Sequence, residues 1–238
     1  MTALLLFTLI ASLGVLVGAV VGFASALVAM PLLFLMLPPD LAVVAFSLLT
    51  LFMNLVVVVE TRRVIAWRSI ALLTAAGVVG TLPGAWALAH LHAGTLRLIV
   101  GGITLSFGLL FLLRPPRLPE HPALDTGLGL VSGWLNGCIG QSGPPVVFLA
   151  LARGWSKDAF RGNLMAYFFI LNIVSVAAYT QLRLITPTAL LYGAAALVPA
   201  FLASLLGIWL KNRIDEKTFR TVALVTIICV GLVGLIRR

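Results

Sequence analysis

Charge is what this sequence has least of: 10% of its 238 residues are Asp, Glu, Lys or Arg, against roughly 25% in soluble domains. So few ionised side chains cannot coat a globular surface, and a mean hydropathy of +1.16 excludes an ordinary water-soluble domain. Cysteine is nearly absent too. Cys138 and Cys229 both fall in apolar stretches, where a thiol acts as a small hydrophobe, so neither a disulfide framework nor a metal site is expected, and no cofactor is implied. Histidine is limited to His90, His92 and His121, at the ends of apolar runs or between them. The seven acidic residues, Asp40, Glu60, Glu120, Asp125, Asp158, Asp215 and Glu216, also fall between runs or at their ends. No carboxylate is left at a membrane centre to carry protons as pumps commonly require.

What is present is hydrocarbon in span-sized blocks. Apolar runs at 41–59, 70–89, 96–113, 164–180, 190–210 and 221–236 each approach the ~20 residues that cross a ~30 Å hydrocarbon core. Lipid offers backbone groups no partners, so these runs must be helices. The opening "MTALLLFTLI" has no Lys or Arg before its apolar run, unlike a cleavable signal peptide, and is expected to be retained. A net charge of +9 would suggest nucleic acid in a soluble protein. Here the basic residues lie in short connections, where they set topology and meet lipid headgroups; the expected partner is the bilayer, with no nucleic acid.

The chain repeats itself. At an offset of 123 residues Gly84 meets Gly207, Trp86 meets Trp209, Thr95 meets Thr218, Arg97 meets Arg220, Gly108 meets Gly231 and Arg114 meets Arg237. Nearer the start of each half, "AMPLLFLML" from Ala29 resembles "GPPVVFLAL" from Gly143, with Pro31 and Pro145 aligned. Two copies of one unit are expected, 1–113 and 124–238, joined by a cytoplasmic linker at 114–123.

Cytoplasmic connections carry excess Lys and Arg, so charge tests the orientation of the copies. If residues 1–37 and 124–152 each cross once, the sixteen Lys and Arg divide eight and eight. If each segment instead enters and returns to the same side, twelve share one face (Arg62, Arg63, Arg68, Arg114, Arg117, Arg153, Lys157, Arg161, Lys211, Arg213, Lys217 and Arg220). The other face keeps four, Arg97, Arg183, Arg237 and Arg238. The second arrangement has the bias. It predicts an all-α polytopic membrane protein of two inverted repeats, each a broken, re-entrant-like helical hairpin followed by three transmembrane helices, with both termini outside. Short arms of about 13 and 9 residues around Gly140 favour re-entrant hairpins over two short complete crossings.

The breaks concentrate what polarity the runs contain. "GCIGQSGPP", Gly137 to Pro145, places three glycines, two prolines, Gln141 and Ser142 inside an apolar stretch. At such a tip the second arm begins, with unpaired N–H groups and the positive end of a helix dipole, an arrangement suited to anions. Glycine permits close backbone approach, Pro144 suits a first helical turn, and Gln141 and Ser142 add donors. "GFASALVAMP" offers Ser25 at a similar place. Inverted symmetry would bring both tips to the midplane, where transporters bind substrate. Close helix packing accounts for Gly14, Gly18 and Gly22 at spacings of four; for Gly137–Pro145 it leaves the prolines and polar side chains without a reason.

Ser47 and Asn163 occupy similar positions early in the helices that follow the hairpins and are expected to line the site. Thr50 lies in the first of these helices and Ser175 in the second. Asn54 and Asn172 fit either interhelical hydrogen-bonding or the site. Arg161, near the cytoplasmic mouth, fits anion steering and interfacial snorkelling equally.

A glycine-rich first segment leading into Pro31-Leu32-Leu33, the helix start at Ser47, and "GLVSGWLNGCIGQSGPPVVF" followed by "FRGNL" together resemble the TauE/SafE sulfite exporter family of membrane permeases. The resemblance covers nearly the whole chain and rests on a two-copy motif. It implies export of sulfite or a small organosulfonate across the bacterial cytoplasmic membrane, a small anionic substrate, and a substrate site at the matching positions Ser25, Ser47, Gly140, Gln141, Ser142, Gly143 and Asn163. Ala24, Ser25 and Ala26 stand where the family pattern has glycines, which shifts weight to the second tip. An exported anion needs no coupling ion, because an inside-negative potential contributes about 2.3 kcal/mol per charge per 100 mV.

Two rivals are weighed. Gly140-Gln141-Ser142-Gly143 matches the G-x-S-G element of rhomboid intramembrane proteases, but a nucleophilic serine needs a base within reach. Every histidine precedes it, at a span end or in a loop, and Lys157 falls in a loop, so no enzyme is expected. A permease for another small carboxylate or a neutral solute would use the same architecture.

Overall fold

The computed structural model describes residues 1–112 and 117–211, which contain nine α-helices and no strand. In order they are α1 Thr2–Val21, α2 Ser25–Phe34, α3 Pro39–Thr61, α4 Trp67–His90, α5 Ala93–Leu112, α6 Pro122–Ile139, α7 Gly143–Ala152, α8 Lys157–Gln181 and α9 Pro187–Lys211. Outside the described residues lie Leu113, the expected span at 221–236, Cys229, part of the linker (114–116), the basic residues beyond Lys211 and the repeat residues Arg114, Thr218, Arg220, Gly231 and Arg237.

The molecule is an all-α polytopic membrane protein. Among the described residues, five helices are long and apolar enough to cross a bilayer: α1, α3, α4, α8 and α9. The first arm of the opening hairpin, α1, runs 20 residues to the break at Gly22, as the position of that glycine in the sequence implies, and is span-length. One feature departs from the sequence expectation. α6 runs 18 residues, longer than the expected arm, because it starts at His121, whose ring accepts the Ala123 N–H at 3.2 Å, with Pro122 in the first turn.

Both breaks are made by a glycine in the left-handed region, which ends a helix at little cost where a Cβ would be strained. Gly22 (φ 95°) caps α1, its N–H donating to Gly18 O at 2.6 Å; Gly140 (φ 69°) caps α6, donating to Asn136 O at 3.0 Å. These glycines, 118 residues apart, set the register of the halves: α2 and α7 are both ten residues long, and Asn54 falls opposite Asn172. The prolines do not. Pro31 is the seventh residue of α2 and Pro145 the third of α7, because backbone conformation at the turn, rather than proline, decides where each break falls.

Helix pairing exchanges between the halves. α4 packs along α6 and α1 along α9, α3 packs on α8, and α4 on α8 is matched by α3 on α9. Glycines make these contacts backbone to backbone. A Cβ at Gly80 or Gly84 would strike the carbonyls of Leu130 or Trp134, and one at Gly129, Gly133 or Gly137 would strike those of Leu73, Gly77 or Thr81. On the other pair, a Cβ at Gly207 would lie 2.7 Å from Leu16 O. Gly84 and Gly207, one of the repeat pairs, thus serve equivalent contacts.

Polar ties close the ends. Arg153, capping α7, meets Asp125 in the first turn of α6 at 2.8 Å, the side chains 5% and 14% exposed. The contact is off the hydrogen-bond angle. It shuts the open end of the second hairpin, so both arms return to one level. Arg97 Nε at the start of α5 donates to Phe34 O at the end of α2, and Arg161 near the start of α8 pairs with Glu60 near the end of α3.

Candidate functional site

The two breaks converge on one cavity of about 100 Å³, well above the roughly 10–15 Å³ needed for one water and suited to a small molecule. α1 supplies Val15, Gly18 and Ala19 to its wall. The first break supplies Gly22, Phe23, Ser25 and Ala26, and the second Gly140, Ser142 and Gly143. α3 and α8 contribute Thr50, Asn54, Arg161, Phe168 and Asn172, with Asn136 from α6 and Ser204 from α9.

The second break is held from behind. Ser132 Oγ donates to Ser142 O at 2.6 Å, Tyr179 Oη donates to Gly137 O at 2.8 Å, and Asn136 Nδ2 donates to Ser175 Oγ at 2.8 Å. The Tyr179 bond occupies a carbonyl that the end of α6 leaves without a helical partner, the Ser132 bond ties α6 to the start of α7, and the Asn136 bond ties it to α8; together they fix the tip. The tips are tied together by Gln141, whose Nε2 donates to Ala26 O at 3.2 Å and to Thr104 Oγ1 of α5 at 3.3 Å.

The two helix starts differ as donors. α7 opens Gly143-Pro144-Pro145, and proline has no N–H, so Gly143 alone offers a backbone donor among its first three residues. α2 opens Ser25-Ala26-Leu27 without a capping side chain, leaving three first-turn N–H groups with no helical acceptor. The glycines missing from the first tip therefore do not remove its donors. Gly143 has room: the nearest atoms to an added Cβ would be Phe23 O at 3.8 Å and the Phe168 and Phe23 rings, each at 4.0 Å.

Ser25, Gly140, Ser142 and Gly143, of the seven residues named from sequence, come together on the cavity wall. The other three lie behind it. Gln141 is 1% exposed and engaged as above. Ser47 is buried beside Tyr179. Asn163, also 1% exposed, accepts the Ala66 N–H through Oδ1 at 2.8 Å, anchoring the start of α4 to α8. Asn54 and Asn172 both reach the wall, and Asn172 Nδ2 donates to Thr50 Oγ1 at 2.9 Å across α3 and α8. Asn136 and Ser204 were not anticipated as lining. Asn136 sits four residues before Gly140, one helical turn from the break, a spacing that could have singled it out; Ser204 carries no comparable signal.

The model of the family "Sulfite exporter TauE/SafE" matches residues 6–233. A protein of Cupriavidus necator named "Probable sulfite/organosulfonate exporter TauE" is 28% identical over 176 residues, covering 70% of this chain and 67% of its own length. No solved structure matches. Members of this family are transporters rather than enzymes, and the match spans nearly all of the sequence: the chain belongs to the sulfite exporter TauE/SafE family of membrane transporters.

Proposed function

We propose that this transporter exports a small sulfur-containing anion, sulfite or an organosulfonate, binding it between the two hairpin tips. The observation that carries the reading is the convergence of both helix breaks, with Ser25, Ser142 and Gly143, on one small cavity. Helix-start N–H groups and hydroxyls there supply donors in a region from which carboxylates are absent among the lining residues. The name of the Cupriavidus relative supports the sulfur anion as cargo.

The proposal includes the architecture: two inverted units, 1–113 and 124–238, in the bacterial cytoplasmic membrane with both termini outside. The exchange of helix partners supports two related units. The first hairpin ends beside the start of α5, through Arg97 and Phe34, and leads into the start of α3. The second leads into α8 at the level of the Glu60–Arg161 pair, which lies at the far end of α3. Hairpins opening toward opposite ends of α3 favour inversion, and the twelve-to-four division of basic residues favours the orientation.

Flux into proteoliposomes tests the cargo. Sulfite and sulfoacetate are expected to move faster than in protein-free vesicles, and faster than lactate. Lactate flux with neither sulfur anion moving would replace the reading with a carboxylate permease.

A further inference from the structure

The cavity wall contains one cation among the described residues, Arg161, and its guanidinium is already occupied. Nη1 donates to Glu60 Oε1 at 3.4 Å and Nη2 to Oε2 at 3.1 Å. A two-pronged contact of this kind is how guanidinium groups bind carboxylates and other planar or tetrahedral oxyanions. Glu60 is in the last turn of α3, with its side chain more than half exposed, whereas that of Arg161 is only a quarter exposed. The carboxylate is thus the outer, solvated partner and the guanidinium the inner one. Arg62, Arg63 and Arg68 stand exposed around the same end, so an anion approaching there meets a positive field before it meets the pair.

The arrangement is one-sided. In the register set by Gly22 and Gly140, the counterpart of Arg161 is Val43 and that of Glu60 is Ala178, both buried and apolar. Nothing about packing α3 against α8 therefore demands an ion pair, since the related positions pack with hydrocarbon.

We infer that Glu60 is a tethered counter-anion for Arg161: it holds the guanidinium at the cavity mouth and is displaced by an incoming oxyanion, which makes this end of the cavity the loading end for substrate. The inference rests on the proposal that the cargo is an anion. Arg161 is the first protein group the anion binds, and Glu60 sets how readily it does so, weakening capture while keeping the mouth closed to other solutes. The pair is exposed enough for such exchange, because partly solvated ion pairs are weak.

A cavity cysteine tests this without reference to the natural cargo. In full-length protein carrying Cys138→Ala and Cys229→Ser, Asn54→Cys is introduced as the reporter. Its modification rate is measured with two methanethiosulfonate reagents, one bearing a sulfonate and one a trimethylammonium group. Glu60→Gln is expected to speed the sulfonate reagent by roughly two- to fivefold, and the double variant Glu60→Gln/Arg161→Gln to lose that gain, while Arg161→Lys keeps part of the attraction. Asp158→Asn, an exposed acid at the same end outside the pair, is expected to change nothing. If Glu60→Gln gives no gain, or its gain persists in the double variant, the pair is a staple or a mere contributor to the local field and the inference fails. Met165→Cys, on the same wall, serves as a second reporter should Asn54→Cys not fold. Absence of sulfite flux with the reagent pattern intact would remove the cargo assignment alone; normal flux with no reagent pattern would remove the counter-anion alone.

Discussion

Gly84 lies against the backbone carbonyl of Trp134 so closely that no methyl group fits between them. Its repeat partner Gly207 lies in the same manner against Leu16. In lipid there is little hydrophobic gain in bringing two helices together, so close backbone approach has to supply the packing. Gly133→Ala and Gly84→Ala are therefore expected to push α4 from α6 and cost at least about 1–3 kcal/mol, the usual range for overpacking. Gly102→Ala is the control: an added Cβ there meets nothing within 4 Å. Melting curves of the detergent-solubilised protein should fall for the first two, and hold or rise for Gly102→Ala, since Ala is the better helix former by up to about 1 kcal/mol.

Gly140 and Gly143 separate conformation from space. Gly140 needs its positive φ, so Gly140→Ala should cost about 1–2 kcal/mol and shift the position of the tip. Gly143→Ala has an ordinary backbone and only van der Waals neighbours. It should leave the melting temperature within a few degrees of the parent yet reduce sulfite flux by narrowing the cavity. Equal loss of stability in the two variants would count against this division.

Ser142 and Gln141 are adjacent but face different tasks. Ser142 lines the cavity, and Ser142→Ala is expected to raise the KM for the anion by roughly ten- to a hundredfold, about what loss of one hydrogen bond to a charged group entails. Gln141 ties the tips and α5 together; Gln141→Ala should lower stability by about 1 kcal/mol and lower the maximal rate more than it raises KM. Transport kinetics in proteoliposomes, measured beside melting temperature, distinguish the two patterns.

These neighbours also show what the sequence could and could not tell. A glycine-proline cluster inside an apolar run identifies a break, and Gly140 is where the chain turns. Which way each side chain then points depends on the helices around it. Gln141 turns toward Thr104, and Asn163 toward the Ala66 N–H, both partners distant in sequence, so spacing alone could not remove them from the cavity wall. Asn54 and Asn172 fit two roles from sequence because the two places coincide: both stand on the cavity wall, while Asn172 also bridges α8 to α3. The length of α6 was hidden for a different reason. Its start depends on a histidine cap at His121, a residue type without strong preference for that position.

The Asp125–Arg153 pair offers the sharpest stability test. Both side chains are largely removed from water, and a buried pair contributes little over an apolar replacement, whereas one charge left alone is costly. Arg153→Met should therefore destabilise by about 3–5 kcal/mol and free the outer end of the hairpin. Asp125→Leu alone should do comparable damage. The double variant Asp125→Leu/Arg153→Met is expected to recover most of the loss, because no unpaired charge remains. Thermal melting of the four proteins closes the cycle; additive losses in the double variant would mean that each residue acts through other contacts and that the pair does not hold the hairpin closed.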